Sequence, residues 1–202
     1  MKRILFFALP LLTVTILALK PFSGELPIGA DLPKADLKMK DITGKEVSFK
    51  DAKKKNGLLV MFTCNTCPVV KGYQSRTNEI CKYALDNNIG VILLNPNEAT
   101  RDDGDSFDDM KEYAKDQEYG WHYVVDKNSE MANVFGANRT PECFLFNKED
   151  KLVYHGAIDD NARNEESVGR RHLKEAINEM HAGKDVAVKT TRSVGCSIKR
   201  LK

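Results

Sequence analysis

The fold is decided by residues 58–68, which read Leu-Leu-Val-Met-Phe-Thr-Cys-Asn-Thr-Cys-Pro. The five apolar residues at the start predict a buried strand, and Pro68 with the apolar stripe after it predicts a helix. Cys64 and Cys67 therefore fall where a strand passes into a helix. A Cys-x-x-Cys pair at such a junction is typical of a dithiol–disulfide redox centre, because the positive end of a helix stabilises a thiolate.

The segments around this junction predict one α/β domain in which strands and helices alternate. Strands are predicted for a hairpin within 36–49 that turns at 42–45, and for 58–62, 90–94, 121–125, 143–146 and 152–154. Helices are predicted from Pro68, from Ser106, at 129–135 and at 168–181. This order favours a central sheet with helices on both faces.

The composition is that of an ordinary globular chain. It has 202 residues, a net charge of +2 and 42% hydrophobic residues. Charges of both signs are interspersed and no strongly basic block occurs, so nucleic acid is not an expected partner.

The first residues read as a targeting segment. Lys2 and Arg3 precede an uncharged apolar run over residues 4–19, which fits a secretory signal or a short membrane anchor. We therefore expect export to the periplasm or cell envelope, as a soluble protein or one tethered by this segment. In that compartment an electron-donor partner must keep a dithiol reduced.

The rest of the chain divides by composition. Residues 1–24 form the signal peptide or anchor, and residues 25–35, which include two prolines, form a linker. The domain is expected over residues 36–183, and residues 184–202 are expected to form a polar C-terminal tail.

Three features together resemble the thioredoxin-like superfamily: the strand–Cys64…Cys67–helix unit, the Thr140-Pro141 pair before a strand, and the closing hairpin and helix. Within it the chain is most similar to the redoxin branch, which includes thiol–disulfide oxidoreductases and peroxiredoxins. The resemblance implies a thioredoxin-like α/β fold, with a central mixed sheet flanked by helices and an extra N-terminal β-hairpin. It also implies that Pro141 is cis and, with Thr140, shapes the substrate-binding groove.

Two positions depart from thioredoxins. Thr63 replaces the aromatic residue that precedes their first cysteine, and Leu58 replaces their buried carboxylate. Proton transfer to the resolving thiol therefore requires another base or water.

The chemistry expected of the pair is disulfide exchange between Cys64 and Cys67. Cys64, at the helix start, is the candidate nucleophile, with a pKa below the free value of about 8.5. Cys67, one turn inside, is the candidate resolving thiol, so the redox disulfide is expected to join Cys64 and Cys67. No second Cys/His pair stands at ligand spacing, and neither a metal nor a cofactor is expected.

The other three cysteines have different expectations. Cys81 and Cys143 fall on apolar patterns and are predicted to be core residues. For Cys143, two positions after Pro141, the alternative is a position close enough to the redox pair to form a different disulfide. Cys196 lies in the polar tail as a candidate auxiliary thiol, which docks on the active site, pairs with another molecule or remains mobile.

The sequence leaves three functions to consider. The first is an exported thiol–disulfide oxidoreductase that acts on protein thiols and disulfides. The second is a thiol-dependent peroxidase. Peroxiredoxins carry the pattern Pro-x-x-x-Thr-x-x-Cys, and when their reactive cysteine is aligned on Cys67, Cys64 stands in place of the Thr and Val60 in place of the Pro. This candidate therefore lacks the expected Thr donor. The third is a copper-binding assembly factor, against which the two-residue spacing argues, since those proteins use Cys-x-x-x-Cys.

Overall fold

A computed structural model describes residues 24–201 of the protein. The predicted signal or anchor segment therefore lies outside the described residues, apart from Gly24. Among residues 24–201, no helix is both long enough and apolar enough to span a membrane.

Nine strands form three sheets within the described residues. They are Met39–Lys40 (β1), Glu46–Val47 (β2), Leu58–Phe62 (β3), Gly90–Asn95 (β4), His122–Val125 (β5), Arg139–Thr140 (β6), Glu142–Phe146 (β7), Leu152–Gly156 (β8) and Cys196–Ser197 (β9). The central sheet has the order β5-β4-β3-β7-β8, with β3, β4 and β5 parallel and β7 and β8 antiparallel to their neighbours. The prediction of a mixed central sheet is confirmed, and β1 and β2 form the N-terminal antiparallel hairpin.

The six α-helices of the described residues are Phe49–Ala52 (α1), Pro68–Gly72 (α2), Gln74–Asp86 (α3), Phe107–Asp116 (α4), Glu130–Phe135 (α5) and His172–His181 (α6). Helix α4 begins after Ser106, as predicted, with a capping box in which the Ser106 hydroxyl accepts the Asp109 N–H and the Asp109 carboxylate accepts the Ser106 N–H.

Two helix predictions need correction. The helix predicted to run on from Pro68 is divided into α2 and α3 at Tyr73, directly after Gly72, a residue that favours a helix weakly. The last helix begins at His172 rather than at Val168, because Val168 is extended after a short 3₁₀ turn at Glu165–Ser167.

Side chains alternate across β3, which is buried along its whole length. Leu59 and Met61 face a core layer shared with α3, α4 and α6, and Leu58, Val60 and Phe62 face a layer shared with α1 and α5. Helices therefore cover both faces of the sheet, as the alternating order predicts. Cys81 and Cys143 lie in the first layer, which confirms them as core residues.

The segments predicted as linker and tail both pack on the domain. Leu32 is buried in the core, and Asp31 pairs with Lys151 beside β8. On the C-terminal side, Val186 and Ile198 are buried, and β9 pairs with β6. The C-terminal segment is therefore part of the folded domain, and it brings Cys196 to the redox junction.

Candidate redox site

The turn between the two cysteines is placed by the end of β3. The Thr63 N–H donates to the Leu94 carbonyl at 2.9 Å, which keeps the chain on the parallel ladder up to the residue before Cys64. Cys67 is the N-cap of α2, and Pro68 takes the first helical position, where its missing N–H costs nothing. Cys67 is thus the residue at the helix start, and the expectation that it lies one turn inside the helix is wrong.

The disulfide in the structure joins Cys67 to Cys196, with a Cα–Cα distance of 6.0 Å. Cys64 is a free thiol, so the disulfide expected between Cys64 and Cys67 is not the one formed here. The pairing of β9 with β6 places Cys196 opposite Thr140, and the Cys67 sulfur lies 3.5 Å from the Thr140 carbonyl oxygen. Of the three expectations for Cys196, the structure shows docking on the site.

The Thr140-Pro141 peptide bond is cis, as the resemblance implies. Thr140 is fully buried and contacts both sulfur atoms of the Cys-x-x-Cys pair. Its hydroxyl lies 3.3 Å from the Cys64 sulfur, and its carbonyl oxygen faces the Cys67 sulfur. Thr140 therefore belongs to the site by direct contact.

The Cys64 thiol is 1% exposed, and this burial raises its pKa above the ordinary value. The negative charge of Asp105 also raises the pKa, whereas the Thr140 hydroxyl and the N–H groups of Thr66 and Cys67 lower it. The net direction is opposite to the sequence expectation. The reason is that the expectation counted the donors at the helix start but not the desolvation of a thiol that the tertiary fold buries.

Asp105 was not predicted from the sequence, although it organises the turn. Its carboxylate is fully buried and accepts hydrogen bonds from the Asn65 N–H at 2.8 Å and from the Thr66 hydroxyl at 2.9 Å. The remaining donors to this carboxylate are the side chains of Asn95, Asn97 and Thr100. The available signal was the loop after β4, which is rich in Asn, Thr and Asp residues.

A second buried carboxylate, that of Glu142, fixes the other wall of the site. One of its oxygens lies 2.7 Å from His155 Nε2, and the other accepts the N–H groups of Asn138 and Arg139 at 2.8 and 3.0 Å. His155 in turn stacks on Phe144, with ring centroids 4.2 Å apart. These contacts hold β6, and with it Thr140, against the cysteine turn.

A strand–Cys-x-x-Cys–helix junction that faces a cis Thr-Pro bond on a mixed sheet defines a thioredoxin-like redoxin. Residues 28–155 match the AhpC/TSA family, and the chain belongs to that family. Membership gives the protein a thiol redox function and makes it an oxidoreductase. A comparison with curated protein sequences found no match.

Solved structures share this architecture. An uncharacterized conserved protein from Geobacillus kaustophilus superposes with a TM-score of 0.80 at 28% identity, over 87% of this chain and 93% of that one. A hypothetical protein from Sinorhizobium meliloti 1021 gives a TM-score of 0.79 at 29% identity, over 90% and 99%. The thioredoxin domain of a thiol-disulfide oxidoreductase from Bacteroides vulgatus gives 0.54 at 19% identity, over 65% and 89%, and is similar in fold.

Proposed function

We propose that the protein is a thiol–disulfide oxidoreductase that acts on disulfides of protein substrates. Cys67 forms the bond to the substrate sulfur, and Cys64 resolves it. The observation that carries this proposal is the Cys67–Cys196 bond, in which the Cys67 sulfur, and not the Cys64 sulfur, is joined to a cysteine presented on the neighbouring strand. Cys64 lies behind it against the Thr140 hydroxyl. This order is the reverse of the one expected from the sequence.

The exchange proceeds in two steps. The Cys67 thiolate attacks one sulfur of the substrate disulfide, so that a mixed disulfide forms and the second substrate sulfur leaves as a thiolate that takes up a proton. Cys64 then loses its proton and attacks the Cys67 sulfur, which releases the first substrate sulfur as a thiolate. Two electrons pass from two protein thiols to the substrate, and a dithiol electron donor returns them by reducing the resulting Cys64–Cys67 disulfide.

The surroundings of Cys64 suit a resolving thiol. Its raised pKa keeps it protonated while Cys67 reacts, and the nearby hydroxyl and N–H donors stabilise its thiolate when it attacks. Thr140 contacts both sulfurs, so it is placed to guide the transfer from one to the other.

The proposed location is outside the cytoplasm, in the periplasm or cell envelope. The support is Lys2 and Arg3 followed by the apolar run over residues 4–19. Cell fractionation of the full-length protein tests it, and recovery in the cytoplasmic fraction alone would contradict it.

A peroxidase is the second candidate, and the same disulfide favours it. Cys67 stands at the reactive-cysteine position of the peroxiredoxin pattern. Peroxide would oxidise its thiolate to a sulfenic acid with release of an alcohol or water, and Cys196 would condense with it to give the observed bond and water. Cys64 and Val60, however, occupy the Thr and Pro positions of that pattern.

Two serine variants test the order of attack and the class of reaction. Both variants also carry Cys196→Ser, because Cys196 could otherwise resolve an adduct on Cys67. With insulin as the disulfide substrate, Cys64→Ser should then accumulate a mixed disulfide on Cys67 that mass spectrometry identifies, and Cys67→Ser should form none. Adduct formation by Cys67→Ser alone would reverse the assignment.

Hydrogen peroxide consumption separates the two candidates. A peroxidase that pairs Cys67 with Cys196 retains turnover in Cys64→Ser and loses it in Cys196→Ser. Insulin reduction by the proposed route needs Cys64 and Cys67 but not Cys196, so it is retained in Cys196→Ser, the variant in which such a peroxidase loses turnover.

A further inference from the structure

We infer that residues 195–197 occupy the protein's own substrate-binding edge, so that the tail is an internal substrate mimic. The substrate class that follows is an extended protein segment in which a glycine directly precedes the reacting cysteine. This inference rests on the proposed function for the identity of the external substrate, but not for the docking of the tail.

The first step is the strand pairing. Cys196 pairs with Thr140 and Ser197 with Arg139 in antiparallel register. Within residues 24–201, β9 is the one strand that pairs with β6. If the tail leaves, β6 therefore presents an open edge beside the Cys67 sulfur, and an extended peptide binds such an edge through main-chain hydrogen bonds.

The second step is the close approach of Gly195 to this edge. A Cβ atom at Gly195 would lie 2.1 Å from the Thr140 carbonyl oxygen, 2.7 Å from its carbonyl carbon and 3.2 Å from the Pro141 nitrogen. All three are backbone atoms, which cannot relieve the clash by a change of rotamer as side-chain atoms can. The residue before the bonded cysteine must therefore be glycine, both in the tail and in any segment that binds in the same register.

The third step is that residues around the redox site bind the tail through hydrogen bonds. The Lys199 N–H donates to Asn97 Oδ1 at 2.9 Å, and the Lys199 carbonyl accepts the Ala99 N–H at 2.9 Å. The Asn97 side chain also donates to Asp105, the carboxylate that holds the cysteine turn. Ile198 is buried, and its N–H donates to the Asn138 carbonyl at 3.1 Å. The tail and a substrate therefore compete for one place.

The closed state can open without an external electron donor. Cys64 loses its proton and its thiolate attacks the Cys67 sulfur, so that a Cys64–Cys67 bond forms and the Cys67–Cys196 bond breaks. Cys196 leaves as a thiolate and takes up a proton, and the number of disulfides is unchanged. The tail is then held by its non-covalent contacts alone.

Gly195→Ala tests the docking, with Gly120→Ala as its matched control because a Cβ there meets nothing within 4 Å. After oxidation with diamide, peptide mapping measures the ratio of the Cys67–Cys196 to the Cys64–Cys67 disulfide. The ratio should fall by about tenfold or more in Gly195→Ala, since overpacking against fixed atoms is unfavourable, and stay at the wild-type value in Gly120→Ala. An unchanged ratio in Gly195→Ala would overturn the inference.

Two synthetic peptides test the substrate class on the full-length Cys196→Ser protein. They carry the sequence of residues 193–199, Ser-Val-Gly-Cys-Ser-Ile-Lys, and the same sequence with alanine for glycine, each as a disulfide with thionitrobenzoate. The glycine peptide should release thionitrobenzoate about tenfold or more faster. Equal rates would refute the glycine requirement. Failure of both peptides and of insulin to react would refute the proposed function, while the diamide experiment still decides the docking of the tail.

Discussion

The buried carboxylate of Asp105 accepts the backbone N–H of Asn65 at 2.8 Å, so an acid 40 residues further along the chain fixes the turn between the two cysteines. The same carboxylate raises the pKa of Cys64 by its charge. Asp105 therefore positions the turn and also opposes the formation of the Cys64 thiolate. These two effects can be separated by substitution.

Asp105→Asn should lower the pKa of Cys64, because it removes a negative charge near the thiol. It should also lower the free energy of unfolding by roughly 3 kcal/mol, since an amide cannot accept the five hydrogen bonds that the carboxylate now accepts. The pH dependence of Cys64 alkylation, read by mass spectrometry, measures the first effect, and urea unfolding measures the second.

Asp103→Asn is the control for this substitution, because Asp103 lies in the same loop and is exposed. It should leave both quantities at the wild-type values. If the pH dependence of Cys64 alkylation is the same in Asp105→Asn as in the wild type, the charge of Asp105 does not affect the pKa of the thiol.

Thr140→Val should move the Cys64 alkylation profile to higher pH. Valine has the shape of threonine but lacks the hydroxyl that lies 3.3 Å from the Cys64 sulfur and lowers the pKa of that thiol. Thr140→Ser keeps the hydroxyl and should stay near the wild-type profile. If the Cys64 alkylation profile shifts equally in the serine and valine variants, the shift is caused by a change in packing and not by loss of the hydrogen bond.

The central fold was predictable because its signals are local. The apolar run at 58–62, the Pro68 helix start and the capping box at Ser106 each depend on neighbours a few residues away. The break at Tyr73 was not predictable in the same way. The backbone of Tyr73 stays in the right-handed helical region, with φ −92° and ψ −2°, so the division of the helix there leaves no mark in the apolar pattern.

The site was predictable in its motif and not in its pairing. The Cys-x-x-Cys spacing and the Thr140-Pro141 pair are short-range features, and both lie in the site. The partner of Cys67 is 129 residues away, and its approach depends on the tail crossing β6. The direction of the Cys64 pKa was missed for the same reason, since the burial that raises it depends on the tertiary fold.

Asp126 should make stability depend on pH in the acidic range. Burial raises its pKa from 3.8 to about 6, although the N–H groups of Met131 and Ala132 at the start of α5 donate to it. Because the folded-state pKa is the higher one, its stabilising contribution is complete below about pH 4 and is lost as the pH rises through about 6. The expected loss is about 2–3 kcal/mol.

Asparagine at position 126 does not titrate, so Asp126→Asn should lack this pH-dependent part of the unfolding free energy. The difference in unfolding free energy between wild type and variant, measured by urea titration at several pH values, should therefore decline from pH 4 to pH 6 and then level off. Asp116→Asn, at an exposed position on α4, should give a difference that stays flat. A flat difference for Asp126→Asn as well would contradict the raised pKa.

The buried ion pair between Arg76 and Asp159 should be the more costly of two ion pairs to break. The two groups are 2.7 Å apart, their side chains are 3% and 2% exposed, and the Tyr73 hydroxyl donates to the same carboxylate. Arg76→Met leaves that carboxylate buried without its counter-charge, which should cost about 3–5 kcal/mol in urea unfolding. Lys174→Gln breaks the half-exposed pair with Glu79 and should cost less than about 1 kcal/mol. Equal losses in the two variants would show that burial does not set the contribution of the Arg76 pair.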